Sequence, residues 1–355
     1  MKNKNSWIGF ILKEWLLLMA GTGFVLTSIY TKHLPTFSRD ELQVLFILFS
    51  LFVAVRGLQS SGFVLQIAQK IERGSAIPLK LVLATFALSL LVTNDVALIV
   101  IVPLTLSLNI GRKDILVILE ALAANAGSAL TPFGNPQNLF IYWFYQLQPL
   151  EFIRTIAPFS LTFLVLLAVA SFFTGTGRNE TGTTALQKVE KMAYAHGILL
   201  VCILLSVLRM LPVSLGLLVL LFALLFDRRA LRIDYGLLLM FLLFFGIANN
   251  VETMLGSKIG TIKNVFLLSA FSSQAISNVP AALLFSKFTP HWEALLWGVN
   301  TGGFGSLFGS LANLIAYRIY VADETTGDTA SFTMRFLAIG YAAFLIAIGL
   351  YFLLA

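Results

Sequence analysis

Two short polar triplets interrupt long apolar stretches of the sequence: Thr93-Asn94-Asp95 and Ser277-Asn278-Val279. Hydroxyl and amide side chains offer neutral donors and acceptors, suited to small anions or to dehydrated cations. Asp95 adds a carboxylate. At bilayer depth a carboxylate costs at least about 2.5–3.5 kcal/mol, so it calls for a proton, a partner or a bound ion. Asp95 is expected to carry a coupling proton or cation; capping the following helix is a second role open to it. Two further segments accompany the triplets. In Thr131-Pro132-Phe133-Gly134-Asn135-Pro136-Gln137-Asn138 a continuous helix is excluded, because each proline removes a donor and Gly134 favours an open backbone. Ser306-Leu307-Phe308-Gly309-Ser310-Leu311-Ala312-Asn313 has no proline, and a softer break is expected there. A broken helix frees N–H groups on one half and C=O groups on the other. The positive half-helix ends attract anions, and unwound carbonyls coordinate cations such as Na⁺. The expected substrate and ion site is therefore Thr93, Asn94, Asp95, Thr131, Gly134, Asn135, Asn138, Ser277, Asn278, Ser306, Gly309, Ser310 and Asn313, with Asp95 as the coupling group.

The elements that must position these groups follow from composition. The chain has 355 residues, 58% of them hydrophobic and 12% charged. Soluble domains carry about 25% charged residues, so this chain cannot coat a soluble surface. A cytosolic enzyme, a disordered chain and a nucleic-acid binder are excluded. The expected class is an all-α polytopic membrane protein of the cell membrane, with the bilayer as its surroundings. The net charge of +7 is read as Lys and Arg gathered in cytoplasmic segments. The one cysteine, Cys202, excludes a disulfide framework and is expected to be buried and inert.

A crossing helix needs about 20 mostly apolar residues. Such runs fall near 15–31, 42–57, 114–141, 152–174, 193–211, 212–226, 234–250, 292–318 and 332–355, about nine full crossings. Regions 78–108 and 262–288 carry the polar triplets near their centres. Each flank of the first is long enough only to reach mid-membrane, so both are read as re-entrant helical hairpins. With the N-terminus inside and the C-terminus outside, cytoplasmic segments hold 17 of the 24 Lys and Arg. Hairpin 78–108 then opens inward and hairpin 262–288 outward. Glu120 lies five residues before Asn125 in one crossing; it is read as a partner of Arg112 or Lys113, with a second relay group as the alternative. His33, His196 and His291 are isolated in the sequence, and Glu252 is placed at the outer interface.

An internal repeat ties the segments together. NAGSALTPFGNPQNLFIY (125–142) aligns without gaps on NTGGFGSLFGSLANLIAY (300–317). The identities are Asn125/Asn300, Gly127/Gly302, Phe133/Phe308, Gly134/Gly309, Asn138/Asn313, Leu139/Leu314 and Tyr142/Tyr317. The topology sends one copy outward and the other inward, an inverted repeat of the kind common in secondary transporters. The halves are 1–174 and 192–355, joined by a cytoplasmic linker at 175–191. No P-loop, nucleophile elbow or His-based metal cluster occurs, so neither ATP-driven transport nor an enzyme is expected, and no cofactor beyond H⁺ or Na⁺ as a coupling ion.

The stretches LLVTNDVALIVIVPLTL, NAGSALTPFGNPQNLFIY, SNVPAALL and NTGGFGSLFGSLANLIAY resemble the ion transporter superfamily. That superfamily contains divalent anion/sodium symporters, citrate transporters, arsenite permeases and related sodium/proton antiporters. The chain looks most like its short citrate-transporter-like permeases. In dicarboxylate members each hairpin tip carries Ser-Asn-Thr. Here Thr93-Asn94 and Ser277-Asn278 match the first two positions, while Asp95 and Val279 depart at the third. An Asp beside a carboxylate substrate repels it unless protonated or cation-bound, which raises proton coupling. The resemblance implies a secondary active transporter of a small inorganic or organic anion, homodimers, and elevator motion. In that motion hairpins and broken helices move past a scaffold built from spans 42–57, 193–226 and 234–250. Cation/proton exchange and arsenite-type oxyacid export are the alternatives within the superfamily; a channel or a membrane-embedded enzyme lies outside it.

Overall fold

The computed structural model describes residues 6–71, 75–175, 188–255, 264–324 and 326–354. Most of the linker 175–191, together with Arg73, Lys258 and Lys263, lies outside them. Among the described residues every regular element is helical. They are α1 Ser6–Thr31, α2 Arg39–Ser60, α3 Phe63–Ile71, α4 Ile77–Val92, α5 Asn94–Ser107, α6 Lys113–Ala129, α7 Pro136–Phe144 and α8 Pro149–Ser171. In the second half come α9 Met192–Val207, α10 Gly216–Phe226, α11 Tyr235–Leu255, α12 Val265–Ile276, α13 Asn278–Ser286, α14 Trp292–Gly302, α15 Leu311–Ala322 and α16 Thr329–Leu354.

Four described helices are long and apolar enough to cross a membrane: α2, α8 with its 3-10 extension to Thr174, α11 and α16. The expected crossings 193–211 and 212–226 are the shorter helices α9 and α10, joined through a turn at 208–212. The hairpins form as α4–α5 and α12–α13 with single-residue tips, and crossings 114–141 and 292–318 divide into α6/α7 and α14/α15. The second break is not softer. Residues 303–310 carry no helix, against 130–135 in the first. Gly305 sits there at φ 86°, and Gln274 binds the open backbone as described below.

Local chemistry sets the ends. Ser38 and Glu41 form a capping box at the start of α2. Asn135 and Ser310 cap α7 and α15, with Pro136 at the first turn of α7. The helices pack as two groups. α2 carries α9, α10 and α11, and α1 lies along α11; both hairpins pack with the two broken helices, α8 and α16.

Charged side chains gather at two ends of this assembly. At one end Arg335 and Arg112 pair with Asp114, and His196 pairs with Asp227 at 2.9 Å. At the other, Lys287 reaches Glu41 at 3.3 Å and Glu252 at 3.4 Å, while Arg209 donates to the Tyr142 and Leu147 carbonyls. His196 is thus partnered and only 1% exposed, against its expected isolation, because the turn between α9 and α10 runs the chain back and sets Asp227, at the end of α10, beside the start of α9. Cys202 is half-buried and lines a groove between α2 and α9, which corrects its expected burial. Apolar side chains facing lipid have no need of a protein cover.

Close packing within each group rests on glycine. A Cβ on Gly127 would lie 2.4 Å from the Phe86 carbonyl oxygen and from Ser89 Oγ, and one on Gly302 would lie 2.4 Å from Ser273 Cβ. These are the repeat-related contacts of each hairpin with its broken helix. Gly127→Ala is expected to destabilise the protein by about 1–3 kcal/mol, read as a lowered melting temperature in detergent. Gly197→Ala, where nothing lies within 4 Å, is the control and is expected not to lower it.

Candidate functional site

The hairpin tips are built the same way. Thr93 has φ 91° and ψ 149°, and Ser277 has φ 72° and ψ 156°. Such positive φ costs a residue with a Cβ about 1–3 kcal/mol and persists where surroundings enforce it. The enforcement is visible in both halves. The Asn94 N–H donates to the Gly134 carbonyl at 3.2 Å, and the Asn278 N–H to the Gly309 carbonyl at 3.0 Å. Each tip is thereby pinned to the break of its own half. The break hydroxyls return the contact. Thr131 Oγ1 donates to the Leu90 carbonyl at 3.1 Å, and Ser306 Oγ to the Gln274 carbonyl at 3.0 Å.

The breaks are held by amides. Asn138 Nδ2 donates to the Ala129 carbonyl, and Asn313 Nδ2 to the Gly303 and Ser306 carbonyls, all at 2.9–3.0 Å. Between the halves, Asn125 Nδ2 donates to Asn313 Oδ1 at 2.9 Å, and Asn300 Nδ2 donates to Asn138 Oδ1 at 2.8 Å. Asn125/Asn300 and Asn138/Asn313 are repeat pairs, so each contact is the other with the halves exchanged, as across a two-fold axis. In the second break Gln274 adds its own bonds: Nε2 donates to the Gly302 and Phe304 carbonyls, and Oε1 accepts from the Ser306 N–H at 2.7 Å.

A cavity of about 180 Å³ lies where these elements meet, lined by Asn94, Asp95, Pro136, Gln137, Ser277, Asn278, Ser310, Asp234 and Arg318 among others. The first residues of α5, α7, α13 and α15 all face it, so four helix N-termini converge on one space. A second cavity of about 180 Å³ shares Asp95 and Asp234 with the first and is lined by Thr93, Arg56 and Arg232. A third, of about 490 Å³, shares Arg56 and Gln59 with the second. The three thus adjoin, running from the tips toward the Ser60 end of α2. The Lys287 cluster meets Glu41 at the other end of that helix.

The expected site residues therefore divide. Asn94, Asp95, Ser277, Asn278 and Ser310 line the central cavity, and Thr93 the adjoining one. Thr131, Gly134, Asn135, Asn138, Ser306, Gly309 and Asn313 do not line the central cavity; they hold the breaks and tips through the bonds above. Asp95 Oδ1 is buried without a hydrogen-bond partner. The Asn94 side chain, not Asp95, accepts the Asp95 N–H at the start of α5. Glu120 pairs with neither Arg112 nor Lys113, which correct that expectation: Arg112 turns to Asp114, and Lys113 donates to the Leu106 carbonyl. Sequence reading did not single out Gln137, Gln274, Asp234, Arg56, Arg232 or Arg318. Asn125 and Asn300 were visible as repeat identities, but nothing in the sequence signalled their pairing with Asn313 and Asn138 across the halves.

The comparisons agree with this architecture. The family model described as "Citrate transporter" matches residues 7–297. An uncharacterized transporter of Methanocaldococcus jannaschii is 36% identical over 311 residues, covering 84% of this chain and 85% of that protein. The inner membrane protein YbiR of Escherichia coli is 35% identical over 328 residues, 86% of each. The silicon efflux transporter LSI3 of Oryza sativa subsp. japonica is 31% identical over 126 residues, 33% of this chain and 26% of that protein. The chain belongs to the citrate transporter family of the ion transporter superfamily. It is a polytopic membrane transporter and not an enzyme.

The exchanged amide pairs make a measurable prediction. Asn125→Ala and Asn313→Ala are each expected to destabilise by about 1–3 kcal/mol, because the surviving amide is left buried and unpaired. A double-mutant cycle in detergent is expected to return a coupling of about 0.5–3 kcal/mol; strict additivity would dismiss the pair.

Proposed function

We propose that this transporter is a secondary active carrier of a small, carboxylate-like anion, coupled to H⁺ or Na⁺, working by an elevator-type motion in the plasma or inner membrane. The observation that carries the reading is the convergence of four helix N-termini and both hairpin tips on one cavity. The positive ends of those four helix dipoles favour an anion there. Asn94, Ser277, Asn278, Ser310 and Gln137 contact the substrate. Asp95, beside the anion and with an oxygen lacking a partner, takes the coupling cation. Na⁺ at the 131–138 and 306–313 breaks, with their carbonyls already bonded by Asn138 and Asn313, is the weaker form of this coupling.

An inverted repeat is supported by the amide pairs that exchange between halves. The order of crossings is supported by the ion pairs, since each joins residues assigned to the same side, and the excess of Lys and Arg on one of those sides sets the N-terminus inside and the C-terminus outside. In that orientation the cavities open inward at Arg56 and Arg232. The α2–α9–α10–α11 group serves as the scaffold, and a homodimer follows from the family. A second reading, cation/proton exchange or proton-driven export of a neutral oxyacid, is favoured by Asp95 and Asp234 lining the same cavity and by the silicon efflux relative.

Uptake by proteoliposomes tests both. With citrate and a panel of other anions under imposed pH or Na⁺ gradients, concentrative uptake is expected, and Asp95→Asn is expected to lose gradient drive while keeping downhill exchange. Downhill flux insensitive to both gradients overturns the main reading. Concentrative movement of arsenite or silicic acid, with none for any anion, installs the second.

A further inference from the structure

Glu120 lies outside the cavity and in neither tip, yet it is a fully buried carboxyl at the middle of α6. Its one hydrogen bond is received at Oε1, from Thr105 Oγ1 of α5 at 2.5 Å. Oε2 is buried and has no partner. The helices packed on α6 are α4, α5, α8, α14, α15 and α16. Their charged side chains are Lys80, Asp95, Glu151, Arg154, Glu293, Arg318 and Arg335; no ion pair joins any of them to Glu120, and Arg335 is held by Asp114. A bare carboxylate with a single hydroxyl donor is poorly compensated at this depth.

The fold itself does not ask for a carboxyl at this position. In the second half, the repeat-related residue on α14 is Leu295, which is fully buried and apolar. One half fills the position with hydrocarbon and the other with an acid and a hydroxyl. Packing is satisfied either way, and the acid is what differs.

We propose that Glu120 is a proton-binding site, separate from the coupling charge at Asp95. The proton binds Oε2 while Oε1 keeps the Thr105 hydroxyl; on release the proton returns to water and leaves a carboxylate held by that hydroxyl alone. The ligand is H⁺, and the site moves with the substrate site, since α5 begins at Asn94 and α6 carries Asn125. Proton binding rests on this geometry; its part in coupling rests on the transport reading above.

Infrared spectroscopy of the purified full chain at neutral pH tests the binding. A protonated-carboxyl C=O stretch is expected that Glu120→Gln removes and Asp95→Asn leaves in place. Thr105→Val keeps the acid and is expected to shift the band by removing its donor, which keeps the test open if Glu120→Gln fails to fold. In proteoliposomes with an internal pH dye and citrate as the probe, Glu120→Gln is expected to keep downhill citrate exchange and lose the accompanying proton flux. A spectrum unchanged by both Glu120→Gln and Thr105→Val overturns the site, and wild-type proton flux in Glu120→Gln overturns its role in coupling. If wild type carries no citrate, that probe counts against the transport reading, and the infrared spectrum alone decides the proton site.

Discussion

A bilayer core offers a peptide group no water, so every N–H and C=O that leaves a helix at that depth must find a partner in the protein. Among the described residues the chain leaves helix within its apolar segments at two tips and two breaks, and their solutions interlock. The Gly134 and Gly309 carbonyls take the tip N–H groups. The Asn138 and Asn313 amides take carbonyls at the start of each break, and their own oxygens accept from Asn300 and Asn125 of the opposite half. A neutral amide suits this work because it donates and accepts at once without a charge to desolvate. The cavity exists because these bonds are made behind it. With the break carbonyls consumed there, the positive ends of four helices are left converging on the open space.

Charge is arranged around the same constraint. The ion pairs lie at two ends of the assembly, where Lys287 binds Glu41 and Glu252, and Arg335 binds Asp114. Between those ends stand Asp95 and Glu120, each with a buried oxygen lacking a partner. They differ in setting. Asp95 meets the cavity and shares it with Asp234 and Arg318, whereas Glu120 is enclosed between α5 and α6 with only Thr105. One borders open space and the other is closed in on every side.

Much of the fold was legible because the relevant signals are local. Apolar runs, a polar triplet in mid-run, and paired prolines around Gly134 mark spans, tips and a break within a few residues of where the helices end. What failed were statements about partners. Glu120 was assigned to bases two turns away along its own helix, but a neighbouring helix supplied Thr105 instead. His196 had no neighbour in sequence, and Asp227 reached it through the turn between α9 and α10. The second break had no proline to announce it; Gly305 turns there at positive φ, and Gln274, on a different helix, satisfies its backbone. Of the expected site residues, those of the tips meet the cavities and most of those at the breaks do not, because sequence gives residue type but not which way an amide turns.

By itself, then, the sequence determined that this is a helical membrane protein with a repeated tip-and-break unit, since hydropathy, proline and glycine act over a turn or two of chain. Tertiary structure decided which polar groups face the cavity and which are consumed in holding it open. It also paired Asn125 with Asn313 across the halves, and left Asp95 and Glu120 each with an unmet oxygen. These are long-range outcomes: a hydrogen bond forms only between groups brought within about 3 Å, and only the packed helices set that distance.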